Sequence, residues 1–458
     1  MIEFTIRNNW TTLTCESQKE YSFVVKSLSV AQTIYLRSQY QSVTKRYLVK
    51  GEDLIGSFPT GLLGRLIPAL KSEGHAYKFV NVCKLATPLP LSIRYTGFEL
   101  YDHQKSAIEK CLRFKRGILK HPTGTGKTVT FAYLIAKLNC RTLVLVPNKL
   151  LLDQTFAVLD SSLSCSVGRC GGSHFELSAD VVIATVAMLH SRRDKIDLHS
   201  FGTLIIDECH HINEIVHLWG QNGNTWYDLA MSIDAYWRFA FSGTVPESGL
   251  HRWALEGITY QLIDDISIRE SIEAGVISEA KVIMEELPKL DFKTYWPSAR
   301  QDFIVNRQYR NERIRDVALD YDYKGKSVLI FVDLIEHGEI LERMIPNSVF
   351  IQGSSENEER QQAIQLLGAK CQIVIGTIFG EGFDVPSLDV AINACGGKSA
   401  TKLLQQLGRV VRKQKGKSEG ILYDFLDRDK DGVLTRHSNQ RRGVYTQSIG
   451  DVSVVSIQ

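Results

Sequence analysis

The chain has 458 residues, 44% hydrophobic and 23% charged, the balance of a soluble globular protein with room for about three domains. No apolar run approaches the roughly 18 residues of a membrane span, and MIEFTIRNNW carries no secretory pattern. Nine cysteines without a CxxC pair argue against zinc and against a disulfide framework, which points to a reducing cytoplasm. Net charge is only +3, but it is unevenly spread. Residues 1–95 hold 12 Lys/Arg against 6 Asp/Glu, and the rest hold 42 against 45. A basic N-terminal module suits phosphate binding as readily as an ordinary solvated face.

In chain order, IEFTIRNNWTTLTC alternates like two strands paired across an Asn-Asn turn. KEYSFVVKSL reads as an early helix. TGLLGRLIPALKSEG (60–74) carries Leu62, Leu63, Leu66, Ile67 and Leu70 at helical spacing, with Gly74 as its stop and Pro68 expected to kink or split it. TPLPLS (87–92) reads as an extended linker. These features give a small α+β domain over residues 1–95. Beyond it, GILK (117–120), TLVLVP (142–147), VVIAT (181–185), TLIID (203–207) and FAFSG (239–243) alternate with helical segments, as buried parallel strands do. A second series follows in SVLIFV (327–332), VFIQG (349–353), IVIGT (373–377), VAINA (390–394) and GILYDFLD (420–427). The fold class is therefore α/β, with two tandem parallel-sheet domains over 96–275 and 276–458 and a cleft between them.

HPTGTGKT (121–128) follows a strand and opens a helix. Its glycines admit backbone N–H groups to phosphate oxygens, so Thr123, Gly124, Thr125 and Gly126 form a phosphate cradle at a helix N-terminus. Lys127 meets the β and γ phosphates of ATP, and Thr128 supplies a hydroxyl to Mg²⁺. His121 stands where the full pattern has its first glycine. IIDECHH (205–211) ends an apolar strand on two carboxylates. By itself such a pair suits a helix cap or an exposed acid pair. Behind a phosphate loop, Asp207 reads as the Mg²⁺ ligand and Glu208 as the base for the attacking water. His210 and His211 lack a further clustered ligand set for a metal, so His210 takes a coupling role and His211 none. GRVVR (408–412), preceded by Gln405, spaces Arg409 and Arg412 one helical turn apart, on one face; by itself such a pair suits solvated arginines, and so far beyond the phosphate loop it also suits fingers that reach a γ-phosphate across a cleft. DRDKDG (427–432) begins like a calcium loop. Its twelfth position, Ser438, offers no bidentate carboxylate, so it reads as a polar loop.

Together these motifs resemble the superfamily 2 helicases over about residues 96–430, in the family's order. The resemblance implies RecA-like motor domains and an ATP-hydrolysing motor on a nucleic-acid strand. It makes Gln104 of LYDHQ (100–104) the adenine contact, with Tyr101 where arginine is frequent. Pro147 of PNKLLLDQ, Thr185 of IATVAM and Thr377 of IVIGTIFGEGFDVPSLD become strand contacts. Gly382 and Asp384 face the nucleotide, and Ser242 and Thr244 of SGT join His210 in coupling hydrolysis to movement. SFPTGLLGRLIPALKSEGHAYKFV, SIRESIEAGVISEAKV (267–282, bridging the motor domains) and RNERI (310–314) are similar to phage UvsW-type recombination helicases. That group implies a monomeric 3′-to-5′ motor in the host cytoplasm. Its substrate is forked or branched DNA with a single-stranded arm, which it unwinds or branch-migrates. An RNA helicase, a duplex translocase that leaves strands paired and a nucleotide-gated clamp are the alternatives. Motor motifs contact phosphates and do not separate DNA from RNA.

Overall fold

The structure, a computed structural model, describes residues 1–36, 40–212, 225–296, 298–369, 373–377, 388–413, 417 and 419–456. For 31–36, 40–47 and 357 it describes the backbone alone. Among the described residues no helix is long and apolar enough to cross a membrane. Compactness divides the chain into two units: residues 1–121 with 126–265, and residues 266–458 with 122–125.

The first unit is built on an eight-stranded sheet. Its strands run in the order His174–Phe175, Val167–Gly171, Val181–Thr185, Thr142–Val146, Thr203–Asp207, Trp237–Ser242, Arg116–Lys120 and Leu262–Asp265. All neighbours are parallel except the first pair. In Thr142–Val146, Val181–Thr185 and Thr203–Asp207 every residue is buried, because helices cover both faces and leave no position for a polar side chain. The motif-bearing turns all leave the carboxyl ends of these strands, where open α/β sheets bind ligands.

Residues 1–82 form a five-stranded sheet in the order Lys50–Glu52, Ile55–Pro59, Trp10–Thr14, Ile2–Ile6 and Tyr77–Asn81, beside the two-stranded ribbon Ser29–Leu36 and Tyr40–Tyr47. Ile2–Ile6 pairs antiparallel with Trp10–Thr14, the hairpin expected across Asn8-Asn9. That turn also fastens the module to the first α/β sheet. Asn8 donates to the carbonyls of Lys84 (2.9 Å) and Asp234 (3.1 Å), and Asn9 to that of Met231 (3.0 Å). Arg238, wholly buried on the strand Trp237–Ser242, donates to Asn9 Oδ1 (2.8 Å) and to the carbonyls of Ile258, Ile233 and Ala230 (2.6–2.7 Å). Burial, then neighbouring Arg116, pulls its guanidinium down to about 9, so it stays cationic at neutral pH. One hydrophobic core runs from Ile2, Phe4 and Leu66 into Leu143, Leu204 and Leu255. Arg238→Met would strand several of these carbonyls, each at about 1–3 kcal/mol. We expect the full chain to lose at least ~3 kcal/mol in urea unfolding, and Asn9→Ala about a third of that. A midpoint unchanged in Arg238→Met would show that the guanidinium carries little of this junction.

Of the two expectations for Pro68, a kink or a split, the structure does not show the split. A short 3₁₀ turn, Thr60–Leu62, leads into an α-helix, Leu63–Ser72, that contains it. Proline removes the bond to the carbonyl four residues back and crowds it. Here that residue is Gly64, whose carbonyl accepts instead from Gln261 Nε2 at 2.9 Å. A Cβ on Gly64 would stand 2.6 Å from the Tyr260 ring, so the glycine also permits the close approach. Gly74, at φ +69°, ends the segment as expected. Arg65 of the same helix pairs with buried Glu256, which also holds Arg252 at 2.6 Å.

The second unit is a seven-stranded, wholly parallel sheet in the order Val349–Ile351, Val374–Gly376, Val328–Phe331, Val390–Asn393, Glu419–Leu426, Glu279–Glu286 and Val452–Ser456. The segment 267–282, expected to bridge the sheets, belongs to this unit as the helix Ile268–Glu273 and the start of the strand Glu279–Glu286. The DRDKDG stretch is a buried polar junction. Arg310 and Arg441 pair with Asp427, and Asp429 accepts from Thr294, Gly432 and Thr435.

Candidate active site and strand interface

The loop His121–Gly126 leaves the strand Arg116–Lys120 and opens the helix Lys127–Leu138. Gly124 (φ +90°) and Gly126 (φ +78°) occupy conformations that a side chain would strain, which is why the turn needs them. Thr125 folds its hydroxyl onto the Pro122 carbonyl at 2.8 Å. Thr123 is partly exposed, and Thr128 lies in the first turn of the helix. His121 has a structural use that the sequence did not disclose. It is fully buried, with Nε2 2.6 Å from Asp264 Oδ2, and Asp264 also binds Lys110. Burial works against the charge of Asp264, but hydrogen bonds from His121 and Lys110 hold it below the usual carboxylate range. The departure from glycine thus pins the loop to the neighbouring strand Leu262–Asp265.

Gln104 lies beneath the loop. Its Nε2 donates to the Gly126 carbonyl at 3.1 Å, and its Oε1 accepts from Tyr101 N at 2.9 Å. A Cβ at Gly126 would stand 2.5 Å from that amide, so the glycine and glutamine are matched. The amide expected to read adenine is here engaged with the phosphate loop, and exposed Tyr101 stacks on His103 at 5.8 Å.

Two strands away, Thr203–Asp207 delivers the acid pair. Glu208 takes a left-handed conformation (φ 50°), and its N–H is received by Asp207 Oδ1 at 3.0 Å. Lys127 Nζ lies 3.7 Å from Glu208 Oε1 and donates to the His121 carbonyl at 3.4 Å. Burial, and next the Glu208 charge, push Asp207 well above the usual carboxylate range, against the pull of Lys127. A buried carboxylate in that position favours a cation beside it. With the Thr128 hydroxyl it offers the hard oxygen donors that suit Mg²⁺. The expected coupling residues also meet here. His210 Nδ1 lies 2.9 Å from Ser242 Oγ and 3.3 Å from Glu208 Oε2, and Ser242 Oγ accepts from Thr244 N at 3.1 Å. His211 stacks between His210 and Trp226.

Pro147 and Thr185 follow or end the adjacent strands Thr142–Val146 and Val181–Thr185, beside the acid pair along the same edge. One end of the edge therefore presents the phosphate loop and carboxylates, and the other presents the expected strand contacts.

In the second unit Thr377 follows the strand Val374–Gly376 and donates its N–H to the Ile351 carbonyl. Thr377 and Gln405 line one cavity of about 460 Å³. Gln405 and buried Arg409 lie on the helix Ala400–Val410, and Arg412 does not: the helix stops before it, at a Val411 cap. The two arginines thus fail to share a helical face. Residues 411–413 are instead strapped to the segment after Glu273: Ser278 N donates to Val411 O at 2.7 Å, Ser278 Oγ to Arg412 O at 3.4 Å, and Lys413 Nζ to Gly275 O at 2.7 Å. Gly382 and Asp384 lie outside the described residues.

Residues 97–247 match the family described as "Type III restriction enzyme, res subunit", and residues 310–414 match "Helicase conserved C-terminal domain"; together they span more than half of the chain. The chain is similar to the DNA 3'-5' translocase XPB2 of Sulfurisphaera tokodaii, 24% identical over 74% of this chain and 84% of that protein. It is also similar to the ATP-dependent DNA helicase uvsW of Enterobacteria phage T4, 24% identical over 76% of this chain and 72% of that one. Its fold is like that of S. cerevisiae Dbp5 bound to RNA and ADP BeF3, with a TM-score of 0.56 at 17% identity, covering 78% of this chain and 90% of Dbp5. The two parallel sheets are RecA-like domains, and the chain belongs to the superfamily 2 helicases as an ATP-hydrolysing enzyme related to UvsW.

Proposed function

We propose that the chain is a DNA helicase that moves along one strand and unwinds or branch-migrates forked and junction DNA, with residues 1–95 as its DNA-holding domain. The carrying observation is the carboxyl edge of the first sheet. There the acid pair lies within reach of Lys127 and of the His210–Ser242–Thr244 network, and the strands on its other side lead to Pro147 and Thr185. In this reading the cradle Thr123–Gly126 holds ATP phosphates and Gln104 lies against the adenine. Lys127 neutralises charge near the γ-phosphate, and Glu208 takes the proton of the attacking water. Thr128 and Asp207 would hold Mg²⁺, which when bound supplies positive charge to the phosphates. Because Glu208 shares Ser242 with His210, loss of the γ-phosphate alters a network that runs to Thr244 beyond the strand Trp237–Ser242.

DNA rather than RNA follows the relatives named for DNA work. The word translocase in one of those names favours a second reading, movement on duplex without strand release. Branched DNA follows from energetics and charge. Moving a junction exchanges old base pairs for new ones, whereas net unwinding opposes roughly 1.4 kcal/mol of stacking per step. The basic N-terminal module, anchored to the motor through Arg238, would hold one arm while the motor draws another.

The test is ATP-dependent strand release from labelled fork, four-way junction, blunt DNA duplex and RNA duplex, using the full chain. Forks and junctions should be processed several-fold faster than blunt duplex. Reversing exposed Lys19, Lys26 and Lys71 to glutamate should shrink that preference and flatten the salt dependence of binding. Preference for RNA would overturn the DNA reading, and hydrolysis on duplex without any strand release would favour the translocase.

A further inference from the structure

The cavity that holds Thr377 and Gln405 does not end there. It shares Asp333, Ser399, Lys402 and Gln406 with a larger groove of about 1120 Å³, roofed by the C-terminal helix Val433–Ile449 and walled on one side by Trp296. We infer that this groove seats a nucleobase of a single strand, stacked on Trp296, with the adjoining phosphate between Lys398 and Arg436. The inference rests on the helicase reading and adds a subsite to it.

Four observations support it. Trp296 is 37% exposed, with His437 at 4.9 Å and the Arg300 guanidinium over its ring at 5.9 Å, so a base stacks on it by displacing Arg300 towards Asp333, which that guanidinium already meets at 3.5 Å. Aromatic platforms of this kind bind bases without regard to sequence. The rim is cationic: Lys398 and Arg436 are exposed there, while the carboxylate of Asp333 is already taken by Lys402 at 2.7 Å and Arg300 at 3.5 Å. The floor carries polar atoms without partners among the described residues: His437 Nδ1 and Gln406 Oε1 are buried in the groove lining, on residues 8% and 5% exposed, and neither has a hydrogen bond there. Buried polar atoms rarely stay unpaired, and a planar base edge offers the donors and acceptors they lack. Burial, then Lys398, Arg441 and Arg436, lowers the pKa of His437, which keeps its ring neutral and suited to a neutral base. Continuity with the Thr377 cavity supplies the path by which a strand arrives.

The full chain, titrated with a fluorescein-labelled oligo-dT at low salt, tests this. Trp296→Ala should raise the Kd about tenfold, and Trp296→Phe less than about threefold, since a ring remains. Arg436→Glu should weaken binding and lower the slope of log K against log salt by about one or more. An unchanged Kd for Trp296→Ala, with wild-type melting temperature, overturns the inference. A measurement that needs no variant is photocross-linking of the wild-type chain to 5-iodouracil oligonucleotide. Peptides containing Trp296 or His437 are expected, and cross-links confined to other surfaces overturn the proposal even if Trp296→Ala fails to fold. Competition by free dTMP as effective as by the oligonucleotide would assign a mononucleotide site instead. A wild-type chain that binds no oligonucleotide fails the helicase reading too, whereas one that binds it with cross-links elsewhere fails this inference alone.

Discussion

Lys127→Ala is expected to bring ATP turnover to near background, below about a tenth of the wild-type rate. The ammonium lies 3.7 Å from the Glu208 carboxylate and donates to the His121 carbonyl at 3.4 Å. It is held on the loop but not locked into one short ion pair, which leaves it available to an incoming phosphate. Glu208→Gln should give a different phenotype. The amide keeps the shape and can still hydrogen-bond to Ser242 and His210, so ATP should bind and stall unhydrolysed. The measurements are steady-state ATPase and equilibrium binding of a fluorescent ATP analogue on both variants. More than about a tenth of wild-type turnover in Lys127→Ala would sink the phosphate-loop assignment. Equal loss of nucleotide binding in both would refute the separate roles, because a base is needed for chemistry and not for binding.

Much of this site was legible because its chemistry is local. A glycine-rich turn between strand and helix, and an acid pair at the end of an all-apolar strand, are readable from a few neighbouring residues. The core strands were legible for the same reason: with both faces covered, Thr142–Val146 and Val181–Thr185 leave no polar position to confuse the pattern. The strand Glu279–Glu286 was not, since charged residues at both ends of EAKVIMEE leave only a short apolar run. Its position between two parallel neighbours is set by pairing, which sequence spacing does not encode. Pro68 misled for a similar reason. The rescue of the Gly64 carbonyl comes from Gln261, nearly two hundred residues away. Arg238 and the partner of His121 were also missed. A buried arginine whose acceptors are mostly backbone carbonyls has no sequence signal, and a histidine in place of glycine looks like a defect until Asp264 is set beside it.

The helical-face argument for Arg409 and Arg412 failed in geometry, and the failure sharpens what each should do. Arg409 is 5% exposed within the helix Ala400–Val410. Arg412 lies past the helix, on backbone held by Ser278. A side chain on a strapped, non-helical segment has its root fixed while its direction is free of the helical repeat, an arrangement suited to a pre-positioned finger. The reading gives Arg412 the charge that grows on the γ-phosphate in the transition state, so Arg412→Ala should lower kcat by about 10³-fold or more, with a much smaller change in nucleotide affinity. Arg412→Lys should recover little, because lysine keeps the charge but loses the planar fork that meets two phosphate oxygens. Ser278→Ala, which removes one weak tether and no charge, should reduce turnover by no more than about threefold. Single-turnover hydrolysis and nucleotide binding on the three variants separate these effects. Wild-type kcat in Arg412→Ala would return it to an ordinary arginine, and a loss confined to nucleotide affinity would mark it as a ground-state contact and not a finger.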